Sequence, residues 1–265
     1  MDTFRADATA DAASWIGAPR RYQVADRREE TPDTVTLRLD PVDAPVPAAR
    51  PGQYMMLTAY GIGEVPVSVS GRTTGDRRDL RHTLRGRGAV TRALCALPPG
   101  GAIGVRGPFG PGWPDPEPGA DLLFVTGGLG LAALRPVLYR VLADRDRYRD
   151  VLVVAAARTP AELLYLEELA VWSASGLADV RVVANRPEDG WQGPVGPVSR
   201  SLAALRLDPA ATVAYLCCSR PVTWLCARDL TRRGVPANRV WVSLGHDVRS
   251  WDEGRLLLAV TERPR

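Results

Sequence analysis

The sequence is poor in cysteine: four in 265 residues, Cys95, Cys217, Cys218 and Cys226, with no Cys-x-x-Cys spacing and no histidine partner nearby. That argues against a zinc site or a disulfide framework, so no metal is expected and reduced thiols fit a cytoplasmic chain. No window approaches the run of about 20 apolar residues that a membrane helix needs, so no membrane partner is expected. The opening residues, MDTFRADATADAASWIG, lack the basic start and apolar core of a secretory signal, and residues 1–17 read as a flexible leader. Basic residues neither cluster nor alternate with aromatics; 34 Lys and Arg interleave with 30 Asp and Glu for a formal net charge of +4. Such a mixture is a solvated surface, and no nucleic-acid partner is expected. Internal repeats and low-complexity tracts are absent as well.

What is present is a globular composition, 45% hydrophobic and 24% charged, on a chain long enough for two domains. Residues 18–114 are dense in Pro and Gly and carry short alternating runs. In YQVADRREETPDTVTLRLD, Val35, Leu37 and Leu39 share one face, with Thr34, Thr36 and Arg38 on the other. Further runs follow at intervals of roughly ten residues, which predicts an antiparallel β-barrel or sandwich. Within it GAVTRALCAL predicts one helix, because Val90, Leu94 and Leu97 share a face. The stretch PGWPDPEPGAD, residues 111–121, holds four prolines and reads as a linker.

Beyond it the pattern becomes strand, helix, strand, helix over residues 118–245. DLLFVT and VLVVAAA are buried strands, and TPAELLYLEELAVWSAS is a helix with Thr159 as N-cap and Pro160 in its first turn. DVRVVAN, TVAYLCC and RVWVSL are further strands, with a helix from about Pro221 to Arg233. This alternation predicts an α/β domain with a parallel sheet covered on both faces. Residues 246–265 read as a C-terminal tail.

Two turns invite chemistry. TGGLG, with Gly127, Gly128 and Gly130, leaves a strand and enters a helix, where close backbone approach and free N–H groups favour an anion. It can equally be a plain strand–helix turn. Gly88, Ala89, Val90 and Thr91 open the helix of the first domain and form a second such turn, in which Thr91 is either an added donor or a cap. One anion-holding turn per domain suits a pair of nucleotides that meet.

PGQYMMLTAYGIGEVPVSVSG, HTLRGRGAVTRAL, VRGPFGPGW, TGGLGLAALRP and AARTPAELLYLEEL stand in the order and spacing of the ferredoxin-NADP reductase superfamily. Over roughly residues 20–244 the chain most resembles the branch of the sulfhydrogenase gamma and anaerobic sulfite reductase B subunits. The resemblance implies an FAD-binding β-barrel followed by an NAD(P)-binding α/β domain. It also implies hydride transfer from NAD(P)H to FAD, and a redox partner protein or subunit that takes the electrons. On that basis Pro66, Val67 and Ser68 lie against the flavin, with the Ser68 hydroxyl at its reactive edge. His82, Thr83, Leu84 and Arg85 follow its ribityl and phosphate region, and Gly88 to Thr91 hold its pyrophosphate. His82 is alternatively a hydrogen-bonded strand residue. NAD(H) or NADP(H) lies across Gly127, Gly128 and Gly130, with Arg158 and Thr159 near its ribose. Cys217 stands beside the nicotinamide, or is a buried core thiol.

Three departures from that pattern matter. Cys218 and Ser219 replace the last two residues of a Cys-Gly-Pro stretch, and a Cys218 side chain could crowd the ring. Asn185 followed by Arg186 replaces a frequent Asp, which leaves NAD versus NADP open. The cysteine-rich segment that ligates a [2Fe-2S] cluster in this branch has no counterpart here, so no cluster is expected. The expected function is therefore an NAD(P)H:FAD electron-transfer subunit. A self-contained flavin reductase with diffusible acceptors is one alternative, and a diverged scaffold or regulator that keeps the fold is the other.

Overall fold

The structure, a computed structural model, describes residues 17–73, 80–188 and 190–252; most of the leader and of the tail lies outside them. The chain divides into two compact units, Met1–Pro111 and Gly112–Arg265.

The first unit is an all-antiparallel sheet of β1 (Arg20–Thr31), β2 (Thr34–Pro41), β3 (Tyr54–Ala59), β4 (Gly63–Ser68), β5 (Arg81–Arg85) and β6 (Ala102–Phe109). Its order is β4-β3-β6-β1-β2-β5, and the two edge strands meet at one bridge, Val69 to His82, so the sheet curls toward closure. Val24, Leu37, Met55, Leu57 and Val105 fill the interior. The alternation in β2 misleads on one point: Thr34 and Thr36, placed on an outer face, are as buried as their apolar neighbours. The Thr36 hydroxyl donates to Glu30 at 2.7 Å and lies 2.9 Å from the Thr83 hydroxyl, so a polar side chain is tolerated there because it is bonded. One short helix, α1 (Ala89–Cys95), packs Leu94 into the core.

The second unit is a sheet in the order β12-β11-β10-β7-β8-β9. Five strands are parallel: β7 (Asp121–Gly127), β8 (Val151–Ala157), β9 (Asp179–Ala184), β10 (Thr212–Cys217) and β11 (Val240–Leu244). Residues assigned to the tail add an antiparallel edge strand, β12 (Asp247–Ser250). Each central strand is apolar on both faces because each face carries helices. Leu122 and Phe124 join α2 (Gly130–Ala143) and α3 (Leu166–Ala174) in one core. Leu123 and Val125 join α4 (Val198–Ala203) and α5 (Arg220–Arg232) in the other.

Two helices differ from expectation. Thr159 caps only a 3-10 turn, Pro160–Glu162, and makes no side-chain cap bond; α3 itself starts at Leu166. The intervening Leu163, Leu164 and Tyr165 are all buried, and three consecutive residues cannot share one helical stripe. The chain therefore breaks, with Tyr165 in the left-handed region at φ 56°. Helix α4 is too short for a periodic signal and was not expected at all.

Candidate functional site

In the second unit the chain runs outward from β7 to β8 and β9, then returns to the other side of β7 as β10. Ligands of open α/β sheets lie at such a reversal, beyond the carboxyl ends of the strands. A cavity of about 420 Å³ opens there. A larger hollow, about 570 Å³, sits at the amino ends of the same strands and is lined by paired charges such as Arg149 with Asp121 at 3.3 Å. The smaller cavity is the candidate because helix N-termini and glycine turns face it.

Those turns come from separate segments. Gly127 and Gly128 lie where β7 enters α2, and Cys218, Ser219 and Val222 lie where β10 enters α5. The first N–H groups of a helix have no partner within it, so α2 and α5 both offer donors and a positive dipole end. Two glycines of the turn do different work. Gly128 adopts φ 57° with nothing within 4 Å of a Cβ position, which is a left-handed turn left open. A Cβ on Gly130 would stand 1.7 Å from the Cys217 carbonyl oxygen, so this glycine lets α2 sit against β10.

Cys217 ends a strand in which every side chain is buried, and it belongs to the core shared with α2 and α3. Burial pushes its thiol up to about 11, and a hydrogen bond with Ser243 offsets this only in part, so it stays protonated at neutral pH. It is Cys218, not Cys217, that lines the cavity. The Cys218 thiol sits 3.8 Å from the Val125 carbonyl oxygen, turned toward the sheet, and its Sγ is 3.5 Å from a Cβ position on Gly127. Burial also raises this thiol well above its ordinary range. The Cys218 side chain thus lies along the strand end and still forms part of the cavity wall.

Arg158 lines the cavity; Thr159 does not. Two further residues that the sequence did not single out also line it: Glu162, whose carboxylate pairs with Arg158 at 3.2 Å, and Ser199 at the start of α4. An i,i+4 pairing was the available signal for Glu162. Ser199 had none, since its helix was invisible in the sequence. Behind the Arg158–Glu162 segment, Arg135 donates to Glu168 at 2.6 Å and lies 4.1 Å over the Tyr165 ring, while the Tyr139 hydroxyl donates to the same carboxylate at 2.5 Å. This cluster holds the left-handed turn at Tyr165 in place, and although burial opposes the charge, Tyr165 and then the Glu168 carboxylate keep the Arg135 guanidinium protonated.

In the first unit the expected residues are distributed differently. His82, Thr83 and Leu84 are all buried. His82 Nδ1 lies 3.1 Å from the Ser68 carbonyl oxygen, so it carries the proton and donates, and Nε2 is buried without a partner. Burial lowers the imidazole to about 4 and keeps it neutral. The Thr36 proton goes to Glu30, so the Thr83 hydroxyl must donate to Thr36 at 2.9 Å. Ser70 lies 2.9 Å beyond and donates to Thr83 in turn. Leu84 fills the core.

Pro66 and Ser68 keep exposed surface, as do Arg85 and the turn from Gly88 through Ala89 and Val90, whereas Val67 is buried. The Thr91 hydroxyl accepts from Gly88 N–H at 2.8 Å and from Arg87 N–H at 3.1 Å, which makes it a cap. The first helical bond is Arg92 N–H to Gly88 oxygen, so the N–H groups of Ala89 and Val90 precede the ladder. Arg85 pairs with Asp33 at 3.3 Å, yet its Nη2 is buried without a partner. Among the described residues no cluster of His, Cys, Asp and Glu could hold a metal, and no helix is long and apolar enough to cross a membrane.

Residues 124–223 match the model of the oxidoreductase NAD-binding domain. The probable dihydroorotate dehydrogenase B (NAD(+)) electron transfer subunit of Methanocella arvoryzae is 34% identical over 76% of this chain and 70% of its own length. The chain belongs to the ferredoxin reductase-like FAD/NAD-binding superfamily. It is also similar to the sulfhydrogenase 1 gamma subunit of Pyrococcus furiosus, at 32% identity over 63% of this chain, and spans only 58% of that relative. The flavohem-like FAD/NAD-binding domain of Vibrio cholerae nitric oxide dioxygenase has the same fold, with a TM-score of 0.74 at 20% identity over 86% of this chain and 98% of the other. The two architectures of this superfamily member, a curled antiparallel sheet and an α/β sheet, are those expected from its sequence.

Proposed function

We propose that this chain is an oxidoreductase component that binds NAD(H) or NADP(H) in the cavity of its second unit and FAD on its first, and passes electrons to a partner subunit. The observation that carries the proposal is the cavity itself, where the open Gly128 turn leading into α2 and the N-terminus of α5 line one space at the sheet's reversal point. Pyrophosphate fits these donors, and the Arg158 side supplies polar groups for a ribose. On the first unit, the orphaned Arg85 Nη2 and the free N–H groups of Ala89 and Val90 suit a second pyrophosphate, with Pro66 and the Ser68 hydroxyl left for the flavin ring. The chemistry that FAD supplies when bound is acceptance of a hydride from the reduced nicotinamide and release of its electrons one at a time. The chain's own work is to hold phosphates and ring edges and to exclude water. His82 fixes the Ser68 backbone, and Gly130 fixes α2 against β10.

A partner subunit is proposed as the outlet because the sulfhydrogenase gamma and dihydroorotate dehydrogenase B electron transfer relatives are both subunits. Residues 227–265 hold no cysteine, so they offer no thiolates for a cluster. An anaerobic absorption spectrum of the purified protein with FAD, before and after NADH or NADPH, tests the reading. Flavin bands that bleach support it. Colourless protein that ignores added FAD overturns it, and bound FAD that neither nucleotide reduces favours the diverged scaffold.

A further inference from the structure

Asn185 stands where the family resemblance implies an acid, yet the structure brings an acid to the same cavity from another segment. Glu162, in the 3-10 turn after β8, and Asn185, after β9, both line it together with Arg158. We infer that Glu162 makes this site selective for a nucleotide with a free ribose 2′-hydroxyl over one with a 2′-phosphate. The inference rests on the proposed nucleotide reading of the cavity.

The argument is one of charge. Arg158 and Glu162 are the only charged residues lining the cavity among those described, and they neutralise each other at 3.2 Å. Just outside, Arg186 donates its backbone N–H to the Arg158 carbonyl, and Glu188 accepts from the Ala161 N–H at 3.3 Å. The one cation in the lining is thus already engaged by a carboxylate, with Glu188 as a second acid beside the same turn. A 2′-phosphate, carrying nearly two negative charges, would have to take Arg158 from Glu162 and leave a carboxylate beside itself. A 2′-hydroxyl instead donates to a carboxylate oxygen already in place, and Asn185 adds a neutral amide that serves either way.

Calorimetric titration of the FAD-loaded chain with ADP-ribose and with its 2′-phosphorylated form reads binding without any hydride transfer. The unphosphorylated ligand is expected to bind about tenfold tighter or more. Glu162→Gln is expected to narrow the gap severalfold, chiefly by strengthening the phosphorylated ligand, because Arg158 is then free to turn to it. Asn185→Asp, which adds a second carboxylate, is expected to widen the gap. Equal affinities in the unaltered chain, or a preference that Glu162→Gln leaves intact, overturn the role of Glu162 while the nucleotide site stands. If neither ligand binds, the reading of the cavity falls and this inference falls with it.

Discussion

The two units hold their candidate ligand residues in opposite ways. In the first, His82, Thr83, Leu84 and Thr91 are bonded or packed into their own unit, the Arg85 Nη2 is buried without a partner, and the surface left open is a strand edge and a turn. In the second, Gly128, Arg158 and Ser219 stand around an open cavity. The difference follows from where each motif lies. A motif written along β5, whose three central residues are all buried, gives its side chains to the fold. A motif at the carboxyl edge of a parallel sheet sits in loops that no ladder constrains.

The largest test of that contrast is Gly130→Ala. Its Cβ would overlap the Cys217 carbonyl, a backbone atom with no room to retreat, so a loss of about 4 kcal/mol is expected. Urea denaturation should show the second unit melting early while the first is unchanged; a wild-type curve would mean that α2 can slide along β10. Next comes pH. His82 binds its proton near 4 in the fold against about 6.5 unfolded, so the unfolded chain binds more protons between these values. Stability of the first unit is therefore full above about pH 6.5 and falls by about 3 kcal/mol as pH drops toward 4. His82→Gln should flatten that slope in denaturation midpoints measured across the window, and a slope that survives would assign it elsewhere.

Arg135→Ala should cost about 2 kcal/mol, since it leaves the partly buried Glu168 carboxylate without its cation and releases the Tyr165 turn. Thermal denaturation reads the loss, and nucleotide affinity should weaken with it because Arg158 and Glu162 lie just before that turn. The smallest pair sharpens the contrast most. Thr91→Ala should cost about 1 kcal/mol of stability by removing a cap, and Gly128→Ala a similar amount through its left-handed backbone. Gly128→Ala alone should also weaken ADP-ribose binding, because its Cβ would project into open space where a ligand must approach.

Much of this was legible from residue order. The α1 helix and the five parallel strands followed from periodicity and the glycine turn from its three glycines, while Arg158 came from the family resemblance. Glu162 was missed because its segment reads as continuous helix with Leu166–Ala174; only the demand to bury Leu163, Leu164 and Tyr165 together turns it back toward the cavity. Ser199 was missed because a six-residue helix completes too few turns to show a stripe. The roles of Cys217 and Cys218 could not be separated by sequence, since adjacent residues at a strand end differ only in which side of the sheet they meet.

Local pattern alone determined the class of each unit, because hydrophobic periods of two and of 3.6 residues specify strands and helices without reference to distant chain. Which side chains face a ligand was decided only in three dimensions. Burial, close backbone approach and charge cancellation depend on residues brought together from far apart in the chain, and no short stretch of sequence contains both partners.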